Sequence, residues 1–394
     1  MKVLMIGWEF PPFLSGGLGV HAYYITKHLA AKGVEVLYVM PYKGVKVSSR
    51  WVKILQVPVD GDVGPYLQVL DGKQEGAASG GEIYPVDPIE GAKGYAEKVV
   101  RAVQEYLRTT GEKFDLIHCH DWITFLAGIK LKELLKIPLV VTFHSTEYSR
   151  TADRPCEDIL NIERAAVSVA DRIIAVSNKF KQELVQRIGA DPGKIDVIYN
   201  ATDFEPFERV NLCGLQKKHP IVLFLGRLTF QKGPEYFLRA AKLVSEVVPE
   251  ARFVVAGNGF LLPSLIREAA ALGIADKVFF PGYVSGERKV LLYKYADVYV
   301  MPSVYEPFGI TALEAMAAKT PVIVSKNAGV TDLVKHVLTV DFWDVEELAN
   351  KIISVIKYKV LREVLGRNGY QEAKTYTWDS AAELTIKTYE KVLR

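Results

Sequence analysis

The feature that most constrains the fold is a repeated alternation. Short β-branched runs without polar interruption ("KVLMIGW", "VEVLYVM", "FDLIHCH", "PLVVTFH", "DRIIAVS", "KIDVIYN") alternate with amphipathic stretches such as "AYYITKHLAAKG" and "GIKLKELLK". Such runs are strands buried on both faces, and strand–helix–strand succession builds a parallel sheet wrapped on both sides. The first helix closes at Gly33, where a left-handed cap is cheap. Across 201–219, "ATDFEPFERVNLCGLQKKH", the period is lost; it restarts with "PIVLFLGR", "RFVVAGNG", "KVFFPGYV", "DVYVMPS" and "PVIVSKN". The expected fold is therefore α/β, with two doubly wound domains at 1–200 and 220–377, a linker at 201–219, and a last amphipathic helix at 378–394.

At 394 residues the chain exceeds one ordinary core, in keeping with two domains. A net charge of +3 with acids and bases interspersed offers no basic stripe, so nucleic acid is not an expected partner. No run of about 18 uncharged apolar residues exists to span a bilayer, and "MKVLMIGWEF" reads as a first strand rather than a signal segment. Cys119, Cys156 and Cys213 are odd in number and lack metal spacing, which suggests reduced thiols in a cytoplasmic protein. Residues 42–92 combine turn-rich "DGDVGP" and "EGAASGGE" with candidate strands "VKILQVPV" and "GEIYPV", and are expected to protrude. Whether they bind an acceptor, and what the oligomeric state is, stay open.

In open parallel sheets, ligands bind beyond the carboxyl ends of the strands. After the first strand, "EFPPFLSGGLGVH" puts Gly16 and Gly17 ahead of a helix, where backbone amides can approach an anion; a plain turn is the alternative. The G-x-G-x-x-G spacing and the acid expected at the end of the second strand are both missing, which argues against a dinucleotide oxidoreductase. In "LFLGRLTFQKGPEYF", Arg227 and Lys232 lie between a strand end and a helix start, as a departing diphosphate requires. In "PSVYEPFGITALEAM", Glu306 precedes the turn Phe308-Gly309-Ile310 that opens a helix, and Glu314 is the one charge in that apolar helix. Two hydroxyl acceptors around a phosphate site describe a nucleotide-sugar. "HCHD" admits a metal through His118, His120 and Asp121, but a third ligand set is not evident and no metal is expected. His144, in "VTFHSTEYSR", follows a strand and either lines the acceptor side or is structural.

Together "GRLTFQKG", "EPFGITALEAMAAKTPVIVS" and "HCHDWITFLAG" resemble the retaining GT-B glycosyltransferases, family four above all, with the bacterial and archaeal glycogen synthases as relatives. The resemblance implies two Rossmann-like domains facing across a cleft, with the final helix crossing back to the first. It implies Arg227 and Lys232 on the diphosphate, Glu306 and His120 on the donor sugar, Glu314 on the ribose, Asn200 in the donor pocket, and backbone near Gly257 and Val284 around the nucleotide. Leu14 replaces the lysine of the synthases' Lys-x-Gly-Gly-Leu, Ala328 stands at a glycine position, and Asp332 stands where family four often has glutamate. Those departures favour a general family-four enzyme.

The expected activity is retaining transfer of a hexose, glucose foremost, from a UDP-, ADP- or GDP-linked donor to a carbohydrate such as an α-glucan, without cofactor or metal. Aromatics near strand ends (Trp8, Phe10, Phe13, Tyr23, Trp122, Tyr148) favour a sugar acceptor over a lipid. A sugar-nucleotide epimerase on the same frame and a non-catalytic binding protein are the rival readings.

Overall fold

The computed structural model describes residues 1–13, 16–59, 87–151, 153–212 and 217–394. The first sheet contains β1 (Lys2–Ile6), β2 (Glu35–Tyr42), β3 (Lys53–Pro58), β4 (Leu116–His120), β5 (Leu139–Phe143), β6 (Arg172–Ala175) and β7 (Ile195–Val197). Its strands lie in the order β3-β2-β1-β4-β5-β6-β7 and every pair is parallel. The second contains β8 (Ile221–Leu225), β9 (Arg252–Ala256), β10 (Val278–Gly282), β11 (Val298–Met301), β12 (Val322–Ser325) and β13 (Leu338–Val340). It is also all-parallel, ordered β10-β9-β8-β11-β12-β13. Counted from its own first strand, the second sheet reads 3-2-1-4-5-6, the doubly wound order, and the first reads the same with a seventh strand added; the direction of winding reverses between β1 and β4 and between β8 and β11.

The apolar runs fill the centre: β1, β4, β5 and β11 are buried almost throughout. Helices Pro88–Thr110 and Trp122–Leu135 cover one face of the first sheet through residues such as Tyr95, Val99 and Phe125. The other face is covered by helix Gly17–Ala31 together with Trp378–Leu393, which puts Trp378, Ala382 and Tyr389 in one core with Val3, Met5 and Ile25. Lys32 pins this last helix, its Nζ lying 2.9 Å from carboxylate oxygens of both Asp379 and Glu383. The chain's end therefore completes the first domain. The preceding helix, Lys359–Ala373, belongs to the second, where Gly366 lies so close to Lys319 that a Cβ would stand 2.3 Å from its carbonyl oxygen.

Two details depart from the sequence pattern. The linker contains a short helix, Glu205–Arg209, and is packed: Phe207 is buried and its carbonyl accepts from Lys294 Nζ at 2.8 Å. β13 extends the second sheet from "LTV", too short to announce itself. Of the excursion, β3 is described at the sheet edge, while "DGDVGP", "EGAASGGE" and "GEIYPV" lie outside the described residues. Among the described residues no helix is long and apolar enough to cross a membrane.

β8 and β9 end in close backbone contact. Gly257 adopts φ +139°, and a Cβ there would lie 1.9 Å from the carbonyl oxygen of Gly226. Gly257→Ala meets both a forbidden dihedral and a backbone clash, so it is expected to cost about 3 kcal/mol or more. A thermal melt checks this: Tm should fall by roughly 5 °C or more.

Candidate active site

The carboxyl ends of the two sheets face each other around a cavity of about 150 Å³. From the first domain come Trp8 and Glu9 after β1, Gly16 and Gly17 at a helix start, Asp121 after β4, His144 and Ser145 after β5, and Asn200 after β7. The second domain contributes Arg227 after β8, then Gln231 and Lys232, and the turn Glu306–Thr311 after β11. These are chiefly the positions flanking the two winding reversals.

The turn after β11 is built to present amides. Gly309 caps helix Ile310–Ala317 at φ +109°, and a Cβ would come within 2.8 Å of Met301 Cε, so glycine is required. Three successive carbonyls are tied down: Glu306 O accepts from Gly329 N–H (2.9 Å), Pro307 O from Ser177 Oγ (2.7 Å) and Phe308 O from Val330 N–H (2.7 Å). In a trans peptide the N–H opposes the C=O, so the amides of Phe308 and Gly309 point away from these partners. The first amides of the helix have no intrahelical acceptor, and the helix dipole makes this end positive. Opposite stands the start of helix Gly17–Ala31: a Cβ on Gly17 would lie 3.4 Å from Ile310 Cδ1. Two helix N-termini thus converge on the cavity.

Lys232 Nζ is 2.6 Å from Glu306 Oε2, both side chains being largely buried. Across the cavity, Glu9 accepts the Gly19 N–H at 3.0 Å. Asp121 takes φ +61°, and its Oδ1 accepts the His144 N–H at 2.7 Å. Burial pushes the Asp121 carboxyl up to about 6, opposed by the charges of Arg150 and Arg227. The segment after β5 is anchored by Arg150, which lies 2.6 Å from Glu163 and 3.1 Å from Glu147 with all three side chains buried.

Four imidazoles pack beneath this wall. His118 has both nitrogens engaged, by the Tyr389 hydroxyl and by Thr142 Oγ1, each at 2.7 Å. His120 Nδ1 is 3.1 Å from His144 Nε2, and His21 Nδ1 is 2.7 Å from Asn200 Oδ1. Desolvation holds all four neutral: His144 falls to about 3, and His21, His118 and His120 lie well below the usual histidine value. The trio His118, His120 and Asp121 does not form a metal site, because His118 has no nitrogen to spare.

Ten of the residues singled out in the sequence meet at the cavity: Gly16, Gly17, His144, Asn200, Arg227, Lys232, Glu306, Phe308, Gly309 and Ile310. Four do not line it. His120, expected beside the sugar, is completely buried. The β4–β5 register pairs it with Thr142, two residues short of His144, which lies in the loop after β5 and lines the cavity. His144 is correspondingly not confined to an acceptor side, since it shares the cavity with Arg227 and Lys232. Gly257 spends its N–H on the Gly282 carbonyl at 2.8 Å, and Val284 packs against the core. Glu314 is nearly buried, held by Lys289 at 2.6 Å and the Tyr293 hydroxyl at 3.0 Å. Trp8, noted in the sequence among the aromatics near strand ends, also lines the cavity, while Glu9 and Gln231 were not singled out. Glu9 could have been, since it follows the first strand as Arg227 follows β8.

The raised Asp121 carboxyl carries a pH signature. In the folded state it holds a proton more tightly than at its ordinary value of 3.8, so between pH 3.8 and about 6 folding takes up protons and this group's contribution to stability falls as pH rises. Asp121→Asn keeps an acceptor for His144 N–H but cannot ionise. Urea midpoints across that window should show the variant gaining on the wild type as pH increases; parallel curves would refute the shift.

Residues 15–206 match the model of Glycosyltransferase Family 4, and residues 212–372 that of Glycosyl transferases group 1. MJ1607, an uncharacterized glycosyltransferase of Methanocaldococcus jannaschii, is 33% identical, covering 99% of this chain and 98% of its own. A glycogen synthase of Mycobacterium tuberculosis is 26% identical over 99% of this chain and 94% of its length. Among solved structures, sucrose-phosphate synthase from Thermosynechococcus elongatus superposes with a TM-score of 0.80 at 23% identity, over 99% of this chain and 98% of that one. The catalytic domain of starch synthase IV from Arabidopsis thaliana gives 0.72 at 19% identity, over 100% and 99%. With two doubly wound sheets meeting at a cavity and relatives of this kind along its whole length, the chain belongs to the family-four glycosyltransferases of GT-B fold, related to the glycogen synthases.

Proposed function

We propose that the enzyme transfers a hexose, glucose foremost, from a nucleoside-diphosphate sugar to a carbohydrate acceptor with retention at the anomeric carbon. One observation carries the reading: Arg227, Lys232 and the amide end of helix Ile310–Ala317 meet in the cavity that also holds His144 and Asp121 from the other domain. The cationic side suits a diphosphate, and the carboxylates and imidazole suit sugar hydroxyls. The names of relatives support the class. One structural neighbour, Anabaena HepE, was solved with UDP and glucose, and the starch synthase with ADP and acarbose. A relative named glycogen synthase makes an α-glucan the first acceptor to test.

In this mechanism the bond between anomeric carbon and diphosphate lengthens first, and negative charge grows on the leaving oxygens. Arg227, Lys232 and the amides at Gly309 stabilise that charge more than they stabilise the intact donor. As Lys232 turns to the phosphate, Glu306 is released to accept sugar hydroxyls. His144 and Asp121 hold the sugar from the opposite wall, the role first expected of His120. The acceptor hydroxyl then attacks from the face the diphosphate leaves, giving up its proton to the departing phosphate oxygen. Cys119 and Cys156 are free thiols, which fits a reducing, cytoplasmic setting.

Incubation with a panel of nucleoside-diphosphate sugars, with and without a glucan, tests the reading. Nucleotide release should accelerate with the acceptor, and NMR of the product should show the donor's anomeric configuration preserved. Release independent of any acceptor would favour an epimerase, and an inverted product would overturn the retaining mechanism. Lys232→Ala and Arg227→Ala should each lower turnover by roughly 10² or more; full activity in either would remove that residue from the mechanism.

A further inference from the structure

We propose that His21, His120 and His144 form a binding site for a divalent transition metal, zinc being the best fit, and that the metal competes with the sugar donor for His144. The competition rests on the proposed function; the binding does not.

The geometry comes first. One nitrogen from each of the three rings lies within 4.8 Å of the others, and His120 Nδ1 and His144 Nε2 are 3.1 Å apart. Zinc–nitrogen bonds of about 2.1 Å in a tetrahedron put neighbouring ligands roughly 3.4 Å apart, so one pair is already near that spacing and the His21 nitrogen, within 4.8 Å of both, has to close in. Three imidazoles with no carboxylate among them suit zinc, copper or nickel rather than magnesium or calcium.

The surroundings prepare the rings for this use. Asn200 Oδ1 can only accept, so the 2.7 Å contact puts the His21 proton on Nδ1 and leaves Nε2 with a free lone pair. His120 Nε2 is buried without a hydrogen-bond partner among the described residues. With Nδ1 facing His144 and the metal, the ring keeps its proton on that Nε2. The fourth imidazole, His118, packs against His120 at 4.3 Å between ring centroids and is fixed by Tyr389 and Thr142, so it buttresses the site without contending for the metal. Burial keeps the three rings unprotonated at neutral pH, as a metal requires. His144 and Asn200 line the cavity, which gives the ion a path in and leaves a coordination position facing the donor.

The test uses the full chain without an affinity tag, stripped with a chelator. Titration with zinc against a chromophoric chelator should show one equivalent bound. Cobalt should give the intense visible absorption of a tetrahedral site. Separate His21→Gln and His120→Gln variants should bind about tenfold more weakly or worse, while His28→Gln, on the outer surface, should match the wild type. A pale octahedral cobalt spectrum in the wild type, or unchanged affinity in a variant that circular dichroism shows to be folded, would overturn the site. With an active donor in hand, zinc should raise KM for that donor and leave kcat alone; an unchanged KM at saturating zinc would overturn the competition.

Discussion

Two winding reversals set opposite one another are the constraint on which the site depends. Where a parallel sheet reverses its winding, adjacent loops leave in opposite directions and a crevice opens at the carboxyl edge. Here that happens between β1 and β4 and again between β8 and β11, and the crevices face each other. Neither sheet alone supplies the chemistry. The first provides acceptors (Glu9, Asp121 and His144) and the second provides cations (Arg227, Lys232) and an amide-rich helix start. A ligand neutral at one end and doubly anionic at the other is what such a divided wall can hold.

Charges in so enclosed a space need partners before any ligand arrives, because an unpaired buried ion costs several kcal/mol. The cavity meets this need internally, for Lys232 pairs with Glu306 at 2.6 Å. On the proposed function this pair joins residues that would serve opposite ends of a donor, so binding would exchange partners: phosphate for Glu306 at Lys232, and hydroxyls for Lys232 at Glu306. Such an exchange leaves little net charge to desolvate. The pair also holds Lys232 extended toward the cavity, reducing the side-chain entropy that a ligand would have to offset.

Much of this was legible in the chain. The uninterrupted runs located eleven strands, since continuous burial on both faces leaves a plain apolar signature, and the rule that ligands gather at strand ends pointed to Arg227, Lys232, Glu306 and Gly309. Other features depended on relations between strands. Whether His120 or His144 faces the cavity is decided by the β4–β5 register, which sets His120 opposite Thr142 and leaves His144 in the loop beyond β5, and one sequence does not state a register. Asp121 was noticed as a metal ligand beside His118; its placement in the cavity follows from a backbone turn at φ +61° that no local pattern announces. Gly257 was read as a nucleotide contact, yet its requirement comes from the Gly226 carbonyl. β13 escaped because three residues on a sheet edge carry too weak a signal.

The cleft is also bridged, and the bridges fall on or near the turn after β11. Ser177 holds the Pro307 carbonyl, the Tyr305 hydroxyl donates to Asp153, which Arg187 also holds at 2.6 Å, and the Lys179 N–H donates to Asp332 at 3.0 Å. Gly329 admits this approach, since a Cβ there would lie 2.0 Å from Pro307 O and 2.5 Å from Ser177 Oγ. A cavity of about 150 Å³ is smaller than the several hundred Å³ typical of such ligand sites, so on the proposed function a donor would extend into the open cleft beside these contacts or part them. Ser177 and Asp153 belong to the first domain, whereas Glu306 and the Gly309 amides lie in the turn they grip. Separation of the domains therefore loosens the elements that would hold sugar and phosphate, and closure restores them. On the proposed function, the chemistry would thereby be tied to the closed cleft, where each charge acts at its greatest strength.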